Sequence, residues 1–343
     1  CQVTTPKQAQ ALLTVPNELA VQCVRTHQWL MHQPDTHTHA LWTLGDAHYP
    51  AELLQLTDPP LMIYVAGQTE RTLGNAVAIV GSRNPTPQGA QTAEQFGEAL
   101  STAGLCVVSG LALGVDGAAH KGALRGGKIR AGASIPAQQW HTVGVVGTGL
   151  DRVYPRQHQT LAHEIARNGL LISEYHLGTA PLAHNFPKRN RLIAALGLGT
   201  LVVEAALKSG SLITAKMALD LNREVLAIPG SIHATQSHGC HALIRQGAKL
   251  VENANDVLEE LQLAPQQQVN LFADALGADD DATGDDTDHP LLAHMGYAPV
   301  SLDALQARCG LDTATLQAQL LTLELDGAVG RLPGGLFQRL ASA

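Results

Sequence analysis

The 343 residues lack the sequence patterns of several common classes of protein, including metal-binding, disulfide-bonded, membrane-spanning and secreted proteins. The five cysteines stand far apart without a C-x-x-C pair, which excludes a cysteine zinc site or a disulfide framework and is typical of a reducing cytoplasm. The 16 histidines form no H-E-x-x-H pattern, so we expect no metal site. No apolar run reaches about 18 residues, and the first residues lack the basic and apolar parts of a secretory signal. We therefore expect neither a transmembrane helix nor a secretory leader.

The glycine-rich patterns of common nucleotide-binding proteins are missing as well. There is no G-x-G-x-x-G and no acidic residue placed to hold a ribose, which disfavours NAD binding. The G-x-x-x-x-G-K-[ST] pattern is absent, and Lys208-Ser209 resembles it only superficially, which disfavours ATP hydrolysis. We therefore expect no cofactor.

Basic residues are scarce: 22 Lys and Arg stand against 30 Asp and Glu, for a net charge of −8. This balance is unusual for a nucleic-acid-binding protein, but the charge is unevenly distributed. Residues 77–262 carry 16 basic and 13 acidic side chains, whereas residues 263–289 carry seven acidic and no basic ones. The middle of the chain is therefore its only positive part.

The acidic segment also marks a domain boundary. Residues 263–289 cannot bury enough apolar surface to fold, so we expect a disordered linker. We divide the chain into a mainly helical region at 1–56, an α/β domain at 57–262, the linker at 263–289 and a C-terminal module at 290–343.

Within 77–262, short apolar runs alternate with segments of helical periodicity. The runs are continuous in Val, Ile and Leu, as in strands covered by helices on both faces, which predicts an α/β fold with a Rossmann-like, doubly wound parallel sheet. We expect a surface insertion at 126–141 and an extended segment at 61–64 that covers the sheet. The predicted strands are 77–80, 106–109, 142–146, 170–172, 200–203, 224–227 and, at an edge, 249–251; predicted crossover helices include 91–103, 212–221 and 241–246.

The C-terminal module combines helical periodicity at 301–307 and 313–325 with strand patterns at 329–332 and 336–339 around Pro333-Gly334-Gly335. This order predicts a winged helix. The first residues of the helix that would enter a DNA groove contain no cation, which favours a protein contact over the reading of a duplex.

The most informative segment is 186–191, Phe-Pro-Lys-Arg-Asn-Arg, which combines three cations with an aromatic ring. It follows a strand and precedes the helical pattern at 192–196, so we place it at the carboxyl edge of the sheet, where open α/β folds bind ligands. Cations beside helix-terminal N–H groups and a ring suit a polyanion that carries bases; the alternative is an ordinary solvated charge run. The candidate residues are Phe186, Lys188, Arg189, Asn190 and Arg191.

Loops after two other strands add candidates. The loop at 81–83 allows close backbone approach and carries a hydroxyl group and a guanidinium fork. The loop at 208–211 exposes N–H groups at the start of a helix, which suits one phosphate. Because the carboxyl ends of parallel strands share one edge, we expect these loops and the 186–191 run to line one groove. Such a groove, with Phe186 as a stacking platform, matches single-stranded nucleic acid. The added residues are Gly81, Ser82, Arg83, Lys208, Ser209, Gly210 and Ser211.

Further loops are expected to support the groove. Asp116 and His120 lie four residues apart, which would place them on one helix face as an acid/base pair. The favoured interpretation is that Asp116 caps the helix and bonds neighbouring loops. No nucleophile or third partner accompanies them, so we propose no catalytic residue. The supporting residues are Ser109, Gly110, Asp116, His120, Gly147, Gly149 and Glu204.

Taken in order, these segments resemble the DprA/Smf family of bacterial DNA-processing proteins over about residues 45–262. One departure is Gly239-Cys240-His241, where the family usually has Gly-x-Asn. The motifs that carry the resemblance include Tyr49-Pro50, Asp58-Pro59-Pro60, Gly81-Ser82-Arg83, Ser109-Gly110-Leu111-Ala112, Gly147-Thr148-Gly149-Leu150-Asp151, Tyr154-Pro155, Ser173-Glu174, Phe186-Pro187-Lys188-Arg189-Asn190-Arg191, Ser209-Gly210-Ser211 and Ala227-Ile228-Pro229-Gly230.

The resemblance implies a Rossmann-like domain that binds single-stranded DNA, a homodimer built through that domain, and loading of the RecA recombinase onto incoming strands in natural transformation. It implies a SAM-like helical region at the N-terminus and a winged helix at the C-terminus. It assigns DNA contacts to Arg83 and to the cations of 188–191.

Two functions of different class follow, and a purely structural adaptor is a third possibility. The favoured one is a non-enzymatic recombination mediator that protects single-stranded DNA. The alternative is a nucleotide-processing hydrolase of the lysine-decarboxylase-like phosphoribohydrolase type. Those enzymes carry a Pro-Gly-Gly-x-Gly-Thr loop followed by a glutamate, and the nearest segment here, 209–214, lacks that pattern.

Overall fold

The structure, a computed structural model, describes residues 15–132, 139–263, 289–297 and 299–340. Its main body is a nine-stranded sheet flanked by helices. The strands are β1 Thr38–Thr43, β2 Met62–Gly67, β3 Ala76–Val80, β4 Cys106–Ser109, β5 Thr142–Val145, β6 Leu170–Ser173, β7 Gly199–Val202, β8 Glu224–Ala227 and β9 Lys249–Leu250. The helices are α1 Asn17–Met31, α2 Pro87–Thr102, α3 Val115–Gly132, α4 Gln159–Asn168, α5 Asn185–Leu196, α6 Ser211–Asp220, α7 His238–Arg245 and α8 Ala254–Glu260.

The strands are arranged in the order β1-β2-β6-β5-β4-β3-β7-β8-β9. All neighbours from β6 to β9 in this order are parallel, whereas β1 and β2 are antiparallel additions at one edge. The predicted doubly wound parallel sheet is therefore confirmed. The strand β3 lies between β4 and β7. After β3 the chain first adds β4, β5 and β6 on one side of it and then adds β7, β8 and β9 on the other side, so the strand order reverses at β3. The carboxyl ends of β3 and β7 border the crevice in which such folds bind ligands.

The core has one layer on each face of the sheet. In β3, Ala76, Ala78 and Val80 pack into one layer, whereas Val77 and Ile79 pack into the other. All five side chains are nearly inaccessible to solvent. Burial on both faces explains why the central strands have uninterrupted apolar sequences.

The N-terminal region differs from the prediction of mainly helical structure up to residue 56. Within described residues 15–56 there is a single α-helix, α1, and the chain then enters β1. Residues 61–64 do not cover the sheet either, because β2 joins it by pairing with β6. The strand β1 was missed because it lies at the sheet edge, where only Trp42 is buried, and its sequence therefore shows no continuous apolar run.

Two further expectations concern segments that the structure describes in part. The helix α3 continues to Gly132, so the first half of the expected 126–141 insertion is helical. Residues 133–138 lie outside the described residues, as does the acidic linker except for its two end residues, 263 and 289. Among the described residues, no helix has both the length and the apolar composition required to cross a membrane.

The C-terminal module has the predicted winged-helix order. Asp312 caps the second main helix by accepting hydrogen bonds from the N–H groups of Ala314 and Thr315. Gly334 and Gly335 both have positive φ, which allows the tight turn of the wing. The elements are α9 Pro290–Met295, β10 Val300–Ser301, α10 Leu302–Cys309, α11 Thr313–Leu325, β11 Val329–Leu332 and β12 Leu336–Arg339.

Candidate functional site

A cleft of about 440 Å³ opens at the carboxyl ends of β3 and β7. The loops after these two strands form two of its walls, and α5 forms a third. The structure therefore brings most of the predicted groove residues together. Those that line the cleft are Gly81, Ser82, Arg83, Asp116, Phe186, Arg189, Asn190, Lys208, Ser209, Gly210 and Ser211.

Arg189 is a buried cation in the wall of this cleft, with only 3% of its surface exposed. Its Nε and Nη1 atoms have no hydrogen-bond partner among the described residues. Burial lowers the pKa of its guanidinium to about 10, while Asp116 acts in the opposite direction. A buried charged donor without partners destabilises the fold until an acceptor is supplied. The vacant donors of Arg189 are therefore suited to a phosphate.

The guanidinium of Arg189 lies against the loop after β4. One carboxylate oxygen of Asp116, Oδ2, accepts hydrogen bonds from Gly110 N at 3.2 Å and Ala112 N at 3.3 Å. Burial raises the pKa of Asp116, and Arg189 opposes this rise. A Cβ atom on Gly110 would overlap Nη1 of Arg189. Asp116 thus bonds the neighbouring loop, as predicted, but it is the second residue of α3 and does not precede the helix as a cap.

An aromatic surface adjoins the buried guanidinium. The Cζ atom of Arg83 lies 5.7 Å from the centroid of the Phe186 ring, in a cation–π contact. The Phe186 ring lies 5.6 Å from the ring of Tyr154. Glycine at 147 allows this position, because a Cβ there would lie 3.0 Å from Cδ1 of Phe186. A ring with a cation above it provides a platform for an unpaired base next to a phosphate ligand.

The loop after β7 supplies the opposite wall. The hydroxyl groups of Ser209 and Ser211 are 2.7 Å apart, and Ser211 N donates to Ser209 Oγ. Lys208 is exposed in the same loop. The loop leads directly into α6, whose first N–H groups carry a partial positive charge. This wall combines an exposed cation with helix-terminal donors, as anion sites do.

The N-terminus of α2, in contrast, is already occupied by a carboxylate. Glu204 accepts hydrogen bonds from Thr86 N at 2.9 Å and from Thr86 Oγ1 at 2.6 Å. Thr86 in turn caps α2 by accepting from Gly89 N. Burial raises the pKa of Glu204, and the bonds from Thr86 oppose that rise. Dinucleotide-binding folds place a pyrophosphate at this helix terminus, so Glu204 provides a structural reason against NAD.

Two cations of the 186–191 run do not line the cleft. Arg191 donates through Nη2 to Oε2 of Glu174 in an ion pair, and the exposed Lys188 also acts electrostatically on Glu174. The reason is that α5 begins at Asn185, so the run lies inside the helix rather than before it. Successive helical residues point about 100° apart, which turns Arg189 into the cleft and Lys188 away from it.

The remaining candidates belong to the framework. His120 is fully buried; its Nδ1 lies 2.7 Å from Thr142 Oγ1, which donates to the carbonyl of Val107. Burial lowers the pKa of His120 to about 3. Its contact with Thr142 argues against an acid/base pair with Asp116. Ser109 donates to Ile79 O, and glycine at 149 avoids overlap with the neighbouring Asp151 carboxylate and with His176 O.

Sequence reasoning missed neutral residues that connect the loops. Gln236 lines the cleft and donates to the carbonyl of Asn84, which joins the loops after β8 and β3. Asn185 donates to Gly147 O at 3.1 Å, and this bond ties α5 to the loop after β5. No local pattern distinguishes Gln236, whereas Asn185 was identifiable as the residue directly before the 186–191 run. Within the described chain, no three side chains of His, Cys, Asp or Glu are grouped to hold a metal ion.

Comparisons with known proteins agree with this architecture. The family of DNA recombination-mediator protein A matches residues 40–262, and the DprA winged helix domain matches residues 277–335. Protein Smf of Escherichia coli strain K12 is 37% identical over 340 residues, which cover 99% of this chain and 86% of that protein. The DNA processing protein DprA of Streptococcus pneumoniae is 43% identical over 222 residues, which cover 64% of this chain and 74% of that protein.

Two solved structures share the fold. DprA of Streptococcus pneumoniae superposes with a TM-score of 0.63 at 36% identity, over 76% of this chain and 83% of that one. DprA of Helicobacter pylori, described for its single-stranded DNA binding mode, superposes with a TM-score of 0.55 at 30% identity, over 65% of this chain and 95% of that one. With its α/β body, its cationic cleft and its winged helix, this chain belongs to the DprA/Smf family of DNA-processing recombination mediators.

Proposed function

We propose that this chain is a non-enzymatic mediator that binds single-stranded DNA in the cleft, protects it and loads the RecA recombinase onto it. The observation that carries the proposal is the buried Arg189 in the wall of the cleft, whose Nε and Nη1 donors lack hydrogen-bond partners among the described residues. A phosphate oxygen satisfies these donors, and the adjacent Phe186 ring accepts an unpaired base. The Helicobacter pylori relative, which was described for its single-stranded DNA binding, supports the same ligand class.

The geometry of the polar groups also favours binding over catalysis. The hydroxyl groups of Ser209 and Ser211 contact each other, and Ser82 Oγ accepts from Asn84 N. His120, the nearest candidate base by sequence, contacts Thr142 in the core. The competing hydrolase function predicts release of free base from nucleoside monophosphates. We expect no release, and turnover that depends on a cleft residue would overturn the non-enzymatic assignment.

Binding is tested by fluorescence anisotropy with labelled oligo-dT and with a duplex of the same length. The Arg83→Glu/Lys208→Glu variant reverses two exposed cations of the cleft, and we expect its affinity for oligo-dT to fall at least about 100-fold at moderate salt. Lys121→Glu/Lys128→Glu, which reverses two exposed cations on α3, serves as the matched control. Equal affinity of the cleft variant and the control, or a preference for duplex, would contradict the proposal.

The proposed partners are RecA and a second copy of this chain, which the family implies. The sheet edge formed by β9 is one site where a second copy has surface to bind, because Leu250 is 49% exposed there. Light scattering after gel filtration measures the oligomeric state. RecA loading is measured as faster filament assembly on strands precoated with a single-strand-binding protein. We expect a dimer that accelerates assembly, in the cytoplasm, where the free cysteines Cys23, Cys106, Cys240 and Cys309 stay reduced.

A further inference from the structure

The aromatic surface of the cleft continues beyond its rim. Phe186 lines the cleft, and its ring contacts the ring of Tyr154. Tyr154 lies outside the cleft and is 47% exposed. Tyr154 borders a second depression of about 600 Å³, which we call the shelf. The shelf is lined by Leu113, Arg152, Val153, Tyr154, Arg156 and Pro181, with two further neighbours. The cleft and the shelf therefore meet at one pair of contacting rings, which are tilted by 38° to each other.

The chemistry of the shelf is the same as that of the cleft. Arg152 and Arg156 are exposed cations at its margin, and Leu113, Val153 and Pro181 provide apolar surface. Arg152 is 3.2 Å from Asp151, in an ion pair whose arginine side chain is 39% exposed. Such exposed pairs are weak and readily exchange for a phosphate. The guanidinium of Arg156 makes no hydrogen bond or ion pair with any described residue.

The second oxygen of Asp151 explains why the shelf keeps its shape. Oδ1 of Asp151 accepts a hydrogen bond from Gly178 N at 2.8 Å, which fixes the loop after β5 to the loop after β6. Arg152 and Tyr154 follow directly in this fixed segment. Their side chains are thus presented on an ordered backbone rather than on a free loop.

We propose that Tyr154, Arg152 and Arg156 form a second nucleotide subsite, onto which a single strand bound in the cleft continues across Phe186. This inference rests on the proposed function of the cleft. Bases stack on Phe186 and then on Tyr154, while the two arginines neutralise phosphates of the outgoing backbone. A duplex cannot use the subsite, because its bases are already stacked on each other. The subsite increases the length of strand that one chain covers.

The test is a length series of labelled oligo-dT, from about 4 to about 20 nucleotides, measured by anisotropy. The wild-type affinity rises with length until the shelf is filled. Tyr154→Ala and Arg152→Gln/Arg156→Gln keep wild-type affinity for the shortest oligonucleotide that binds, and lose at least about fivefold on the longest one. Tyr154→Phe retains the ring and keeps wild-type affinity at every length. For the double variant, the log–log salt slope on the longest strand becomes shallower by about 1.4, or about 0.7 for each phosphate.

A charge-matched control is Lys128→Gln/Arg245→Gln, which neutralises two exposed cations near the ends of α3 and α7, at the opposite edge of the sheet. If both shelf variants bind every length like the wild type, the second subsite does not exist. If the shelf variants lose as much affinity for the shortest oligonucleotide as for the longest one, they act on the cleft itself, and the subsite is likewise refuted. If the wild type binds no length at all, it is the proposed function of the cleft that fails.

Discussion

The guanidinium of Arg189 lies directly against the backbone of Gly110, with no room for a side chain between them. A Cβ on Gly110 would overlap Nη1 of Arg189 and lie 2.7 Å from Oδ2 of Asp116. Glycine at this position therefore lets a cation on α5 reach the loop after β4. The same loop anchors Asp116, which partly offsets the charge of Arg189 inside the protein.

Gly110→Ala tests this relationship. The added methyl group must displace the guanidinium, so we expect a loss of about 1–3 kcal/mol in the free energy of unfolding and at least a tenfold loss of oligo-dT affinity. Arg189→Met in the same chain removes the group that clashes, so the double variant should lose less stability than the sum of the two single losses. Urea denaturation of both single variants and the double variant gives the coupling energy. Strictly additive effects would show that the two residues do not interact.

The salt dependence of binding reports how many phosphates the exposed cations neutralise. Arg83 and Lys208 lie on opposite walls of the cleft, on the loops after β3 and β7. We expect Arg83→Gln and Lys208→Gln each to reduce the log–log slope of oligo-dT affinity against salt by about 0.7. Anisotropy titrations between low and moderate salt measure the slope. Unchanged slopes would mean that the strand does not pass between these walls.

His120 makes the fold sensitive to acid. The hydroxyl of Thr142 donates to Val107, so it accepts from Nδ1 of His120, and the buried Nε2 has no hydrogen-bond partner in the part of the chain that the structure describes. Burial lowers the pKa of His120 from its ordinary 6.5 to about 3. Between these values the unfolded chain binds one more proton than the folded chain. Stability therefore rises with pH through this window and is lost as the pH falls below about 6.5.

The expected contribution of this histidine is about 1.4 kcal/mol per pH unit within the window. Urea denaturation of the wild type and of His120→Gln at several pH values measures it as a difference between two slopes. His184→Gln, which removes a histidine from the exposed surface, is the control. A His120→Gln variant with the wild-type slope would show that the imidazole is not buried in its neutral form.

The central fold could be predicted because its physical causes are local. The strands β3, β4 and β8 have side chains buried on both faces of the sheet. Their predicted bounds, taken from their apolar runs, agree with the observed bounds to within one residue. The edge strand β1 could not be recognised, because its side chains are mostly only half-buried and its pairing with β2 depends on residues far along the chain. Pairing between distant segments leaves no periodic signal in either one.

The site was predictable at the level of loops but not of individual side chains. The convergence of the loops after β3 and β7 follows from the parallel sheet alone. The separation of Arg189 from Lys188 and Arg191 depends on the start of α5 at Asn185, and helix ends are the least predictable part of a sequence-based assignment. The contact between Phe186 and Tyr154 joins residues 32 positions apart, and no spacing rule indicates it.

The most direct test of the central claim pairs two measurements on Arg189→Met. A methionine fills similar space but leaves the buried Asp116 carboxylate without the cation that offsets its charge, so we expect the free energy of unfolding to fall by about 3 kcal/mol. Because the cleft then lacks its phosphate donor, we expect the affinity for oligo-dT to fall at least tenfold. A folded variant that binds oligo-dT as tightly as the wild type would contradict the claim that the buried Arg189 holds the strand.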